Sequence, residues 1–159
     1  YLLKKPAYRA GNQPLAQLEE LALLKGFTPA IRKQLAPAVS ALPKITKINI
    51  NTAPKSVLLA LADWMTPEIA QAWLEKRLLK PADKVETFRS FIVAQTGFKQ
   101  DEINTALPDT VISVNTDFFL LVGQFDYGSV QQQVDALLHR ESSKQVSLWQ
   151  RWFSQVKDE

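Results

Sequence analysis

The sequence predicts an α+β chain, helical over residues 1–108 and built of antiparallel strands over residues 109–159. Three observations lead there. Apolar residues recur at helical spacing as far as Pro108: Leu15, Leu18, Leu21 and Leu24, then Val57, Leu58 and Leu61, then Ile69, Trp73 and Leu74. From Asp109 onward β-branched and aromatic runs take over, in Val111–Val114 and Phe118–Val122. The charge divides at the same place, with 15 Lys/Arg against 9 Asp/Glu before residue 109 and 4 against 7 after it.

Taken in order, the elements begin with a helix rich in leucine over residues 15–24. A second helix opens at Thr28-Pro29, where a capping hydroxyl precedes a proline whose missing N–H costs nothing at the first helical position. The same signal recurs at Thr66-Pro67. The recurrence is part of a repeat: Ala22–Ile31 aligns without gaps on Ala60–Ile69, with Ala, Leu, Thr, Pro and Ile in place, and Leu35 falls on Trp73. Each copy reads as an apolar helix, a short hairpin and a capped second helix. Two such units bury little alone, so stacking of one copy on the other is the expected packing.

Between the copies lies Lys47-Ile48-Asn49-Ile50-Asn51-Thr52-Ala53-Pro54. It reads as a short extended segment, Ile48 and Ile50 on one side and Asn49 and Asn51 on the other. It leads into a helix capped by Thr52 or Asn51. Asn49, Asn51, Thr52 and Ala53 are therefore a structural motif, the amides bonding neighbouring backbone groups to fix the direction of the chain. In the last third, Asp126-Tyr127-Gly128-Ser129 is turn chemistry between strands. Val130–Leu138 suits either a strand or a helix, and so does Gln145–Val156.

Composition narrows the function. Hydrophobic residues make up 46% and charged residues 22%, which excludes disordered, collagen-like and coiled-coil chains. The absence of cysteine excludes disulfides, thiolate metal sites and cysteine nucleophiles. The longest apolar runs, Val57–Ala62 and Phe118–Val122, are far below the roughly 20 residues of a membrane-spanning helix. The start at Tyr1 shows neither an initiator Met nor a signal-peptide core, so the chain reads as a mature or excised fragment. Catalytic signals are weak. His139, beside Arg140, is the only histidine and reads as a surface residue. Asp109, Asp117 and Asp126 read as solvated turn carboxylates. Among the aromatics, Trp64, Trp73, Phe88 and Phe91 are the expected helical core. Trp149, Trp152 and Phe153 are a cluster near the terminus that calls for a cover or a partner.

The Asn49–Ala53 segment, with Ala70-Gln71-Ala72-Trp73-Leu74-Glu75-Lys76-Arg77 after the hairpin, resembles the helix-hairpin-helix DNA-binding proteins of the competence type. Those proteins hold phosphate on a Gly-x-Gly hairpin. Here the hairpin is Ala62-Asp63-Trp64-Met65-Thr66, and the first copy keeps only Gly26. DNA binding is thus the alternative rather than the leading expectation, despite a pI near 9.2. A calcium-dependent hydrolase using the acidic residues is a more distant one.

A second resemblance covers nearly the whole chain. The series Asn12–Leu15, Leu18–Leu21 with Gly26, Leu35, Pro37, Leu42-Pro43, Asn49–Ala53, Arg77, Phe88–Phe91, Val114–Phe119 and Leu137–Arg140 is similar to the C-terminal half of the K-type minor pseudopilins of the bacterial type II secretion system. Thr116 stands where that family tends to have Ser. The resemblance implies a helical SAM-like insert in a pilin-type scaffold, residues 109–159 supplying the closing strands. It implies a non-enzymatic subunit that packs with the I and J minor pseudopilins at the tip of a periplasmic pseudopilus. It also implies contact with secreted exoproteins, and membrane attachment only through an N-terminal helix outside this chain. No cofactor is expected from the residues. Calcium is known in the family, but no ligands here can be assigned to it.

Overall fold

The computed structural model describes residues 7, 11–128, 130–142 and 145–154. The chain is α+β. A 3-10 helix at Leu18–Leu23 precedes α1 (Pro29–Leu35) and β1 (Ile48–Asn49). Four helices follow: α2 (Lys55–Leu59), α3 (Pro67–Leu79), α4 (Val85–Thr96) and α5 (Gln100–Ala106). The strands β2 (Ile112–Ser113), β3 (Phe118–Tyr127), β4 (Val130–Ser142) and β5 (Gln145–Ser154) complete it. Both ambiguous segments of the last third are thus strands as far as Ser154. The dense β-branched and aromatic content of β3 gives β4 a partner, and β4 gives β5 one.

The two Thr-Pro signals work identically. Thr28 Oγ1 accepts from the Ile31 N–H and Thr66 Oγ1 from the Ile69 N–H, each at 3.3 Å. Beyond their caps the copies diverge. The buried cluster runs from Ile50 to Ile112 and includes Leu58, Met65, Ala70, Trp73, Phe88, Phe91, Ile92, Ile103 and Leu107, with Trp64 packed half-buried against it. The first copy contributes nothing to that cluster, so the expected stacking of copy on copy does not occur. The physical reason lies in α4: Phe88 and Phe91 pack on Trp73 at ring distances of 4.7 and 5.3 Å and occupy the side a second copy would need.

The helical core also extends past residue 108. β2 pairs in parallel with β1, Ile48 opposite Ile112 and Asn49 opposite Ser113. Arg89 reaches the same connection, donating from Nε and Nη2 to the Leu107 carbonyl and pairing with Asp109. Residues 48–114 therefore form a module whose two ends are zipped together. α4 stops at Gly97, whose φ of +73° is open to glycine at little cost and whose N–H caps the Val93 carbonyl at 2.9 Å. Gly97→Ala is expected to cost about 1 kcal/mol, read as a fall of roughly 3 °C in the thermal midpoint.

The remaining strands form one antiparallel sheet in the order β3-β4-β5. Asp126 is not in its turn but pairs with Gln131 inside the ladder. A bulge in β5 leaves Trp149 as an extra residue between Gln150, opposite Leu137, and Leu148, opposite Leu138.

Candidate interaction site

The Asn49–Ala53 motif is the best-built polar feature of the chain. Asn49 Oδ1 accepts from the Asn51 N–H at 2.9 Å, and the Asn49 carbonyl accepts from the Thr52 and Ala53 N–H groups. This local turn is characteristic of an Asn at that position. The rest is long-range. Asn49 Nδ2 donates to Thr116 Oγ1 at 2.8 Å, joining the start of the helical module to the chain that leaves it. Asn51 grips the Ala82 backbone with both ends of its amide, donating to the carbonyl and accepting from the N–H, each at 2.9 Å. Trp73 Nε1 and Arg77 Nη1 both donate to the Ile50 carbonyl at 2.9 Å, and Arg77 adds the Ala53 carbonyl at 2.7 Å. Burial lowers the Arg77 pKa from its ordinary value, yet the guanidinium stays charged at any working pH.

One expectation is corrected here. Neither Thr52 nor Asn51 caps α2: the capping position is Pro54, which has no side-chain bond to give. Asn51 is committed to Ala82, 31 residues away, and Thr52 is exposed. The bonds of the motif fasten loops to one another instead of starting a helix.

The hairpin between α2 and α3 is poorly shaped for phosphate. Asp63 is exposed on it, Trp64 packs edge-on against Phe98 at 6.0 Å, and the Met65 N–H is bonded to the Ala62 carbonyl. Nearby, the Thr66 hydroxyl holds the Glu68 carboxyl below the usual carboxylate range. Asp63 and Glu68 thus place carboxylates where a nucleic acid would need positive charge.

His139 departs from its expected place on the surface. It is half-buried, stacked on Phe118 at 4.6 Å with Trp149 edge-on at 6.1 Å, because β4 turns it toward the helical side of the sheet. The three turn carboxylates also separate: Asp109 pairs with Arg89, the Asp117 backbone carbonyl accepts the Arg140 N–H, and Asp126 lies in β3. Among the described residues no group of three or more His, Cys, Asp or Glu could hold a metal.

The sheet has two unlike faces. Toward the helices, Phe118, Leu137 and Asp135 are buried, and Leu120, Leu137, Gln150 and Trp152 line a cleft of about 500 Å³ against residues 16–19 and 36–41. On the other face, register places Phe119, Leu121 and Phe125 beside Leu138, Val134, Leu148 and Phe153. Most of these are exposed, Phe153 by 59%. Arg140 and Arg151 lie over the Phe119 and Phe153 rings at 5.4 and 5.6 Å. The Phe125 ring fills the gap left by Gly123, coming within 3.3 Å of where its Cβ would stand. Contiguous exposed apolar side chains of this kind are the usual mark of an interaction surface. Phe153 of this face belongs to the aromatic cluster that the sequence singles out, whereas the unbroken apolar run Phe118–Val122 conceals which of its residues face outward.

These features define a class, an α+β subunit with a self-closed helical module beside a sheet that presents an apolar face. The comparisons with known proteins agree. Two sequence profiles, both described as Type II secretion system (T2SS), protein K, match residues 1–44 and 48–115. The chain is 30% identical over 151 residues to the type II secretion system protein K of Pseudomonas aeruginosa, covering 95% of this chain and 42% of that protein. It is 28% identical over 142 residues to its counterpart in Klebsiella pneumoniae, covering 89% and 43%. Among solved structures it is similar to a chain in the crystal structure of the GspK-GspI-GspJ complex from the enterotoxigenic Escherichia coli Type 2 Secretion System. That match has a TM-score of 0.75 at 25% identity and covers 98% of this chain and 54% of the other. The chain belongs to the type II secretion system protein K family. It spans about two-fifths of the length of the curated relatives it matches.

Proposed function

We propose that the protein carrying this chain is a minor pseudopilin at the tip of the type II secretion pseudopilus, where it packs with the I and J minor pseudopilins and caps the filament for protein export. The observation that carries this is the 0.75 TM-score likeness over nearly the whole chain to a protein solved together with GspI and GspJ. The apolar outer face of the sheet supports it. A surface of exposed Leu and Phe, with arginines laid over its rings, suits packing against another subunit. Contacts of that kind are heterologous, and a bulky helical module beside the sheet would let the assembly end instead of propagating.

In this reading the protein is not an enzyme: its one histidine is committed to a stack of aromatic rings. It works on the periplasmic side of the inner membrane and is held there by an N-terminal helix. Among the described residues no helix is long and apolar enough to cross a membrane.

The test is size-exclusion chromatography of the whole soluble region mixed with the soluble domains of the I and J partners. Co-elution of all three is expected, and Leu148→Asp on the sheet face should weaken it about tenfold or more. Separate elution of the wild-type protein at tens of micromolar would overturn the assignment.

A further inference from the structure

The last turn of α3 carries the most exposed leucines among the described residues, Leu78 at 83% and Leu79 at 90%. Earlier in the helix the apolar side chains are covered: Ala70 and Trp73 are buried, and Leu74 packs against the same core. The last inward place goes to Arg77, whose guanidinium is committed to the Ile50 and Ala53 carbonyls. The two leucines that follow it stand outside the module, and the helix ends beyond them at Lys80 and Pro81.

The charge around them is positive. Lys76, Lys80 and Lys84 recur every four residues, all exposed, and among the described residues none of them is ion-paired. Lys76 rests its ammonium over the Phe91 ring at 5.0 Å. The carboxylates nearby are Glu75, Asp83 and Glu86. Glu86 is turned to Arg89 at 3.3 Å and Glu75 accepts from the Gln71 amide at 3.0 Å, which leaves Asp83 as the exposed carboxylate between the lysines. Residues 76–84 hold four Lys/Arg against one Asp.

This combination selects one kind of partner. Protein interfaces draw their anchors from Trp, Tyr and Arg, are depleted in Lys, and rarely use Leu as a hot spot. Here the arrangement is the reverse: leucines protrude, lysines surround them, and the one arginine faces inward. A lipid surface needs no shaped complement. It takes up protruding aliphatic side chains at the boundary of headgroup and acyl chain, while lysine stems snorkel and their ammonium groups meet phosphate.

We infer that the end of α3, residues 76–84, is a contact surface for an anionic phospholipid bilayer. Leu78 and Leu79 enter the headgroup region, and Lys76, Lys80 and Lys84 meet the phosphates. A single turn of this kind makes a weak, reversible contact. It adds an orientation to a protein held by the N-terminal helix proposed above and is no anchor by itself.

The experiment is flotation of the whole soluble region with vesicles of equal parts phosphatidylglycerol and phosphatidylcholine at low salt. The wild type is expected to float with them, to stay behind with vesicles of phosphatidylcholine alone, and to be released by high salt. Leu78→Ser combined with Leu79→Ser keeps the charge and should weaken binding about tenfold or more. Lys80→Glu combined with Lys84→Glu should do the same. Because both leucines are exposed, their variant should keep its thermal midpoint within about 2 °C of the wild type. A wild type that does not float would overturn the inference. So would flotation that survives loss of both leucines, which would mean that basic charge or the apolar sheet face adsorbs to lipid without them. A midpoint lowered by about 5 °C or more in the leucine variant would give the pair to another segment of the same protein. Loss of its co-elution with GspI and GspJ would give the pair to a protein partner. Either result would overturn the lipid contact as well. Flotation reads that contact and co-elution reads the tip assignment, so one can fail while the other stands.

Discussion

Replacing Trp73 with alanine is expected to cost about 3–5 kcal/mol, as large as single substitutions of buried aromatics become. Its indole is 1% exposed, with Phe88 and Phe91 on its ring and the Ile50 carbonyl on its Nε1. Alanine leaves a cavity between α3 and α4 and removes one of the two donors on that carbonyl. Arg77 remains as the second donor, so the carbonyl is not orphaned and the loss is mainly one of packing. Trp73→Phe separates the contributions: it keeps most of the apolar volume, gives up the bond, and should cost about 1–2 kcal/mol. Total stabilities run to about 5–15 kcal/mol, so the alanine variant should be partly unfolded near body temperature. Urea denaturation followed by far-ultraviolet circular dichroism reads both. An alanine variant with a midpoint near that of the wild type would mean that Trp73 does not organise the module.

The contrast between the two repeats shows how far a sequence displays its own fold. Thr28 and Thr66 are legible as caps because the hydroxyl, the proline and the N–H it accepts lie within four residues. β3 is legible because its residues have strand chemistry, whereas the residues of β4 and β5 suit a helix as well, and pairing in register makes them strands. The pairing of Ile48 with Ile112 is different: two residues of parallel strand, joined across the whole helical module, leave no periodic trace. Burial of the second copy alone is hidden for a related reason. The copies share most of their apolar positions, with Arg32 standing where the second has Ala70, and the packing of α4 against the second goes with its becoming core. His139 is hard to place from sequence because its neighbour Arg140 faces the opposite side of the strand, so adjacency says nothing about its surroundings. The Asn49–Ala53 motif lies between these cases. Its Asx turn is local and legible, whereas the partners that make it a fastening, Thr116, Ala82 and Arg77, are 24 to 67 residues away.

That division makes a ranking within the motif testable. Asn51→Ala removes an amide that satisfies both backbone groups of Ala82, a residue only 5% exposed. Leaving a buried N–H and carbonyl without partners is expected to cost about 2–4 kcal/mol, more than the two bonds would contribute net. Asn49→Ala loses the turn bond to the Asn51 N–H and the link to Thr116 Oγ1. The Thr116 hydroxyl is half-buried and can turn to water, so about 1–2 kcal/mol is expected. Thr52→Ala should change stability by less than about 0.5 kcal/mol, because its side chain is exposed and makes no hydrogen bond among the described residues. Chemical denaturation of the three variants gives the order Asn51, Asn49, Thr52. If the motif instead worked by capping α2, the Thr52 and Asn51 substitutions would cost about 1 kcal/mol each and Asn49 would be the mild one. An Asn51 effect that falls by about half when Ala82 is replaced by proline, which has no N–H to leave unpaired but keeps its carbonyl, would locate the loss at that contact.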